Sequence, residues 1–292
     1  MFKRILVPLD GSNLAEGVLP YVKLLTKSLN TPAYLIVCLM GPVQSTAGRN
    51  LQMATQAYLD AIANNLQNEG LSVTSDVKTG YPASVIPEVA QDSQDWLIAM
   101  STHGRSGVTR WALGSTADKV LHMTSSPVLL VRPKEQTAPI ADASIQNIIV
   151  PLDGSPLAEQ AVPSAIELAK SFKARIALLR VTPEPSDYYR PEAMTRAKFL
   201  RISEKVDNKA QDYLTQARKR LSPEQSPSVS MKLEHGDPAS VILDISQRLP
   251  NSLIAMTTHG RSGINRWLIG SVTDRVVHHS VSPLLILRPQ AK

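Results

Sequence analysis

The feature that most constrains the fold is an internal duplication. The hexapeptide THGRSG occurs twice, beginning at Thr102 and at Thr258. Near the start of the chain, ILVPLDGSNLAE matches a later IIVPLDGSPLAE, which places Asp10 and Asp153 at an offset of 143 residues. A repeated unit of about 140 residues is too long for a solenoid repeat and has the size of a domain. The chain is therefore predicted to contain the same domain twice.

The second copy is longer than the first. GYPASVI and GDPASVI align Gly80 with Gly236 at an offset of 156, so the second copy has gained 13 residues, between about 183 and 235. The polar, Ala-rich segment KEQTAPIADASIQ, at about 134–146, lacks apolar periodicity and indicates a linker. The predicted domains are residues 1–135 and 145–292.

Short apolar runs alternate with amphipathic segments in each copy. This βαβαβαβαβ pattern predicts an α/β fold with a five-stranded parallel sheet flanked by helices. The first helix is expected to be kinked at Pro20, and its counterpart at Pro163, because proline lacks a backbone donor. In such sheets ligands bind beyond the carboxyl ends of the strands, where the strand order reverses. Asp10 follows the first predicted strand and THGRSG follows the fourth, so both are expected at that edge.

Composition excludes several classes of protein. The net charge of +6 comes from scattered Lys and Arg, and the densest cluster, RKR at 218–220, is typical of a solvated helix face rather than a nucleic-acid surface. The single Cys38 excludes a disulfide framework or thiolate metal site and is predicted to be a small buried hydrophobe. The apolar stretch at the N-terminus is too short for a signal peptide, and no run approaches 18 apolar residues. A cytoplasmic protein that binds neither membrane nor nucleic acid is expected.

The repeated loop has the features of a phosphate site. Gly104 and Gly114 allow backbone amides to approach a ligand, and the helix predicted to start at Ser115 offers unpaired N–H groups and a positive dipole end. Nearby arginines add positive charge in both copies: Arg105, Arg110, Arg261 and Arg266. The alternative is purely structural, since Ser115 and Asp118 form a capping box, as do Ser271 and Asp274.

Two further repeated residues have alternative interpretations. His103 and His259 are interpreted as bonding the backbone of their own loops rather than as catalytic groups, because the sequence shows no nucleophile oriented against them. Asp10 and Asp153 suit a ribose hydroxyl or an adenine amine, and they equally suit an Asx turn that leads into the first helix.

These motifs resemble those of the universal stress protein family in its tandem two-domain form, with a fold similar to adenine-nucleotide alpha-hydrolases. ILVPLDGS, STHGRSGVTRWALGSTADKVLHMTSSPVLLVRP and their second copies carry the resemblance over nearly the whole chain. ATP-binding members of the family have Gly, two residues, Gly, nine residues, then Gly with Ser or Thr. Both copies fit this pattern except at the first Gly, which is Ser101 in one copy and Thr257 in the other.

The resemblance implies ATP as ligand, with any Mg²⁺ arriving with the nucleotide and no metal site of the protein's own. It implies that an aspartate lies near the adenosine, and that the main chain of Leu39, matched here with Val181, meets adenine. The residues implied in nucleotide binding are Pro8, Asp10, Leu39, Ser101, His103, Gly104, Arg105, Gly107, Gly114, Ser115 and Thr116 in the first copy, and Pro151, Asp153, Val181, Thr257, His259, Gly260, Arg261, Gly263, Gly270, Ser271 and Val272 in the second.

The resemblance also implies that domains pair through their fifth strands, here 127–131 and 283–287, which gives an intrachain pseudo-dimer. A homodimer of the full chain and an unknown protein partner stay open. Three functions are considered: an ATP-binding stress-response module with little or no turnover, a weak ATPase or phosphotransferase, and a scaffold that binds no nucleotide. The first is favoured. The insertion in the second copy follows its second strand, near the adenine position, and predicts unequal affinities of the two sites.

Overall fold

The computed structural model describes ten strands and ten helices over residues 2–41, 44–91, 93–104, 113–133, 142–184, 186, 195–221, 228–260 and 269–289. The strands are β1 (Arg4–Leu9), β2 (Ala33–Leu39), β3 (Val73–Thr79), β4 (Trp96–Ser101), β5 (Val128–Val131), β6 (Asn147–Pro151), β7 (Arg175–Thr182), β8 (Val229–His235), β9 (Ser252–Thr257) and β10 (Leu284–Leu287). The helices are α1 (Asn13–Glu16), α2 (Leu19–Leu29), α3 (Thr46–Asn68), α4 (Pro82–Val89), α5 (Ser115–Met123), α6 (Pro156–Glu159), α7 (Ala161–Phe172), α8 (Arg196–Lys219), α9 (Pro238–Arg248) and α10 (Ser271–His279).

Two compact units divide the chain. The first runs to Ser144 and includes Pro283–Arg288, and the second begins at Ile145. The strand order of the first is β3-β2-β1-β4-β5-β10, and that of the second is β9-β6-β7-β8. All neighbours among β1–β5 and β6–β9 are parallel. Every residue of β4 and β9 is buried, as expected for strands covered on both faces. The predicted α/β architecture is confirmed.

The order of the strands reverses beside β1. Chain order runs outward from β1 through β2 to β3 on one side, and through β4 to β5 on the other. Arg4 pairs with Trp96 and Leu6 with Ile98, so β1 and β4 are direct neighbours and end at the same edge. The reversal therefore lies where the sequence predicts it, between the segments that carry Asp10 and the THGRSG loop.

The fifth strands of the two copies pair within the first unit. β10 runs antiparallel to β5, with Leu285 opposite Leu129, and all residues of both strands are buried. This confirms the predicted pairing. It gives β5 a partner on the side away from β4, so its backbone groups are not left as an exposed edge.

The first helical segment of each copy is interrupted more strongly near its proline than the sequence predicts. The predicted kink is a complete break, since α1 ends at Glu16 and α2 begins at Leu19. Pro20 is the second residue of α2, and Pro163 is the third residue of α7. In the first turn of a helix the missing donor of proline has no intrahelical acceptor to lose, so both prolines start a helix rather than bend one.

The 13 extra residues of the second copy fall mainly in two connections. The connection between the second strand and the long helix comprises residues 40–45 in the first copy and the longer segment 183–195 in the second. The connection after that helix comprises residues 69–72 in the first copy and the longer segment 220–228 in the second. The long helix itself has 23 residues in the first copy and 24 in the second. Of the helices that the structure describes, none has the length and apolar composition needed to cross a lipid bilayer.

Candidate functional site

Asp10 lies against the loop that follows β4. Its Oδ1 accepts hydrogen bonds from the backbone N–H of Ser12 at 3.0 Å and from the Ser12 hydroxyl at 2.6 Å. This is the Asx turn that the sequence offered as an alternative, and it leads directly into α1, whose N-cap is Ser12. The other oxygen, Oδ2, faces Gly104 so closely that a β-carbon at that position would overlap it. The turn therefore holds the carboxylate at the strand-order reversal.

The second copy repeats this arrangement. Asp153 Oδ1 accepts the backbone N–H of Ser155 at 2.8 Å, and Ser155 is the N-cap of α6. A β-carbon on Gly260 would overlap Asp153 Oδ2. In both copies a side chain on the loop glycine would force the neighbouring carboxylate out of its position, whatever ligand binds there.

The helix that follows the loop has no side-chain cap. Its N-cap is Gly114, not Ser115, and Ser115 is the first helical residue and is exposed. The same holds for Gly270 and Ser271. The predicted capping boxes at Ser115 and Ser271 are therefore wrong. A serine one position inside the helix cannot bond back to the first-turn amides as an N-cap does, so those amides are not satisfied by a side-chain cap.

The capping glycines sit close to the preceding strand. Gly114 N–H donates to the carbonyl of Thr102 at 2.8 Å, and Gly270 N–H donates to that of Thr258 at 2.7 Å. A β-carbon on Gly114 would lie 2.9 Å from Thr102 O, and one on Gly270 would lie 3.2 Å from Thr258 O. A side chain would therefore overlap the backbone at Gly114 and crowd it at Gly270, where each helix starts against the end of the fourth strand.

The two residues that replace the family's first glycine are bonded within their own loops. Ser101 Oγ accepts the backbone N–H of His103 at 3.2 Å. Thr257 Oγ1 donates to the carbonyl of His259 at 2.7 Å. Both side chains are buried. The extra atoms thus brace the turn in each copy.

Each histidine of the repeated loop also bonds locally. His103 Nδ1 lies 2.8 Å from Thr102 Oγ1, and His259 Nδ1 lies 2.9 Å from Thr258 Oγ1. The partner of Nδ1 is thus a side-chain hydroxyl of the loop, whereas a bond to the backbone of the loop was expected. The interpretation of these residues as parts of the loop is otherwise consistent with the geometry.

A large open cleft of the first copy lies at the reversal. Its volume is about 640 Å³, within the range typical of small-molecule sites. All nine predicted site residues of this copy that the structure describes line it: Pro8, Asp10, Leu39, Ser101, His103, Gly104, Gly114, Ser115 and Thr116. Its far wall is formed by α3, through Leu51, Ala54, Thr55 and Tyr58.

Sequence reasoning missed the contribution of α3. Tyr58 donates to Glu16 Oε1 at 2.8 Å and thereby ties α3 to α1. The one available signal was that Tyr58 and Glu16 recur as Tyr213 and Glu159. Among the described residues, the lining of this cavity contains no Lys or Arg.

Cys38 lies at the end of β2 and lines the same cavity. It is half-buried rather than fully buried, so the predicted role as a core hydrophobe is only partly right. Burial raises the pKa of its thiol to about 11. The thiol is therefore protonated at neutral pH.

The second copy brings the same positions together around a smaller cavity of about 230 Å³. It is lined by all nine described counterparts: Pro151, Asp153, Val181, Thr257, His259, Gly260, Gly270, Ser271 and Val272. The matching of Val181 with Leu39 is wrong by one residue. Gly80 N–H bonds Leu39 O, and Gly236 N–H bonds Thr182 O, each at 2.9 Å, so Thr182 is the counterpart of Leu39.

Four predicted site residues lie outside the described part of the chain: Arg105, Gly107, Arg261 and Gly263. Arg110 and Arg266 lie there too. Within the described ranges, no group of three or more His, Cys, Asp or Glu side chains is placed to hold a metal ion.

The geometry defines a tandem α/β protein with a ligand-sized cleft at a strand-order reversal. The model of the universal stress protein family matches residues 1–132 and 144–288. The chain therefore belongs to the universal stress protein family.

Individual relatives agree with this assignment. A universal stress protein of Mycolicibacterium smegmatis is 23% identical over 251 residues, which is 85% of this chain and 78% of that protein. One from Methanocaldococcus jannaschii is 28% identical over 147 residues, 50% of this chain and 84% of its own length. Among solved structures, a universal stress protein from Archaeoglobus fulgidus aligns with a TM-score of 0.66 at 18% identity, covering 98% of this chain and 96% of its own. That likeness shows the shared fold.

Proposed function

We propose that this protein is an ATP-binding universal stress protein whose nucleotide occupies the cavity of the first copy and is turned over slowly or not at all. One observation carries the proposal. The uncapped N-terminus of α5 and the oriented carboxylate of Asp10 line one cavity of about 640 Å³. The cavity thus offers an anion-binding end and a hydroxyl-binding group, as a nucleotide requires.

Different residues of the first copy would bind different parts of the nucleotide. The first-turn amides at Ser115 and Thr116 would bind phosphate oxygens, supported by the helix dipole. Asp10 would accept a ribose hydroxyl. The end of β2, at Leu39, would contact the base. Any Mg²⁺ would be held by phosphate oxygens and water, as this ion prefers.

Two contacts support binding rather than fast hydrolysis. Asp10 Oδ1 is engaged by two donors from Ser12, and His103 Nδ1 is engaged by the Thr102 hydroxyl. A general base must be able to reach the attacking water. These two atoms are committed to the loop, His103 Nε2 is fully buried, and Asp10 Oδ2 faces Gly104. Binding would then act by favouring one conformation or partner over another.

The first test is made on full-length protein purified without added nucleotide. The protein is denatured, and released small molecules are identified by chromatography and mass spectrometry. Recovery of ATP supports the proposal, and recovery of ADP alone supports slow hydrolysis instead. An empty protein that also fails to bind Mg·ATP by calorimetry contradicts it.

A matched pair of variants controls that test. Asp10→Ala should lose bound ATP, because it removes the group assigned to the ribose. Asp95→Ala should retain it, because the exposed side chain of Asp95 pairs with Lys3 and does not line the cavity. Equal ATP content in the two variants would contradict the role assigned to Asp10.

A further inference from the structure

Among the described positions that line both cavities, one exchanges an apolar residue for a charged one. Pro8 pairs with Ile36 in the first copy, and Pro151 pairs with Leu179 in the second. The next residue along the second strand is therefore Val37 in one copy and Arg180 in the other. An apolar side chain at the site of the first copy is thus replaced by a long cation in the second.

The replacement coincides with a divided cavity. Val37 lines the single space of about 640 Å³ that extends from Asp10 to Tyr58 on α3. Arg180 lines two separate spaces. One, of about 230 Å³, includes Asp153 and the N-terminus of α10, and the other, of about 360 Å³, includes Tyr213 and Lys209 on α8.

Contacts hold the guanidinium between these spaces. Arg180 Nη1 donates to the carbonyl of Leu152 at 3.1 Å. Arg180 also lies in the electrostatic environment of Tyr213 together with Asp153 and Glu159. Moving the guanidinium aside would remove this donor from the Leu152 carbonyl.

A nucleotide requires the undivided space. Its phosphates would lie at the helix N-terminus and its base at the end of the second strand, so both ends of the cavity must be open at once. The space of about 230 Å³ beside Asp153 is below the roughly 300–1,000 Å³ that is typical of small-molecule sites.

We infer that Arg180 sets the selectivity between the two copies, closing the second site to an adenine nucleotide while the first stays open. This inference rests on the proposed function of the first site. It assigns the inequality of the sites to one side chain rather than to the 13 inserted residues.

The test is the stoichiometry of Mg·ATP binding to the full chain by calorimetry. Wild type should bind one equivalent. Arg180→Val, which installs the residue of the first copy, should bind two. Val37→Arg, which installs the residue of the second copy, should bind none. Circular dichroism checks that each variant is folded, and if Val37→Arg fails to fold, Arg180→Val decides the question alone.

The outcomes separate the two proposals. Two equivalents in wild type, or one equivalent in Arg180→Val, would overturn the selectivity role and leave ATP binding intact. A folded Val37→Arg that still binds one equivalent would do the same. No binding in wild type or in Arg180→Val would overturn the proposed function as well.

Discussion

Gly104 is packed directly against the carboxylate of Asp10, although the two residues are 94 positions apart in the sequence. The same packing joins Gly260 to Asp153. Each aspartate follows the first strand of its copy and each glycine follows the fourth, and these strands are neighbours. The strand order thus brings the two residues together, and a β-carbon at the glycine would overlap the carboxylate.

Replacing this glycine tests the relationship. Gly104→Ala should lower the free energy of unfolding by about 1–3 kcal/mol, the range expected for a group forced into a packed site. Urea denaturation of the full chain measures the change. Asp10→Ala should also destabilise, because it removes the acceptor of the two Ser12 hydrogen bonds.

The double variant Gly104→Ala/Asp10→Ala isolates the contact. Once the carboxylate is gone, the added methyl group has room, so the double variant should be more stable than the sum of the single effects implies. Strict additivity would show that the glycine is needed for another reason.

A charge at the start of α5 should separate stability from binding. Ser115→Asp places a negative side chain at a helix N-terminus, where it interacts favourably with the dipole, so stability should be unchanged or rise by up to about 1 kcal/mol. The same charge repels phosphate, and ATP affinity should fall at least roughly tenfold. Calorimetry and thermal unfolding give the two readouts.

The neutral variant Ser115→Asn is the control for that experiment. It alters the side chain without adding charge, so ATP affinity should stay within a few-fold of wild type. If Asn and Asp weaken binding equally, the phosphates do not lie at this helix end.

The sequence predicted the architecture because the duplication and the strand–helix alternation are written in local patterns. The sequence also predicted that Asp10 and the THGRSG loop lie at the same edge of the sheet, since parallel strands end together. The N-cap residue of α5 was not predicted correctly. Ser115 and Asp118 satisfy the capping-box pattern, but the contact of Gly114 with Thr102, which moves the cap by one residue, is tertiary.

The difference between the copies was harder to predict. The offset of 143 that aligns Asp10 with Asp153 also aligns Leu39 with Thr182, and the hydrogen-bond register agrees, so the match of Leu39 with Val181 is one residue out. At the same offset Val37 corresponds to Arg180, but the sequence alone does not show that this residue lines the site. The insertion, which the sequence does show, lengthens two connections and leaves the long helix nearly unchanged.

Cys38 offers a probe of the first cavity. Because burial raises its pKa to about 11, its alkylation at pH 8 should be roughly two-hundredfold slower than that of a thiol of ordinary pKa. Deprotonation generates the reactive thiolate, so the alkylation rate should rise about tenfold per pH unit between 8 and 10. Mass spectrometry follows the reaction without ambiguity, since the sequence contains one cysteine.

Nucleotide should protect this thiol if it binds where proposed. Saturating Mg·ATP should slow the alkylation of Cys38 at pH 9, because the side chain lines the cavity. GTP at equal concentration tests whether this protection depends on the purine base. A rate unaffected by ATP, in protein that binds ATP by calorimetry, would place the nucleotide elsewhere.

The helix after the third strand is capped in only one copy. Asp237 accepts the backbone N–H of Ser240 at 2.9 Å at the start of α9, whereas Tyr81, at the same position of α4, makes no side-chain cap bond. The backbone angles of the two caps are nearly equal, with φ of −73° and −72°. Tyr81→Asp should therefore stabilise the protein by about 1 kcal/mol, and Asp237→Ala should destabilise it by about the same amount.

The pH dependence of these variants has a definite sign. The Ser240 backbone N–H and then Arg275 lower the pKa of Asp237, so its stabilising effect is complete above the ordinary aspartate pKa of about 3.9 and is lost as the pH falls through the lowered value. Urea denaturation at pH 7 should show the full loss in Asp237→Ala, and at pH 3 a smaller one. Tyr81→Ala controls for removal of the exposed ring and should leave stability nearly unchanged. A gain in Tyr81→Ala equal to that in Tyr81→Asp would show that the ring, not the missing cap, limits α4.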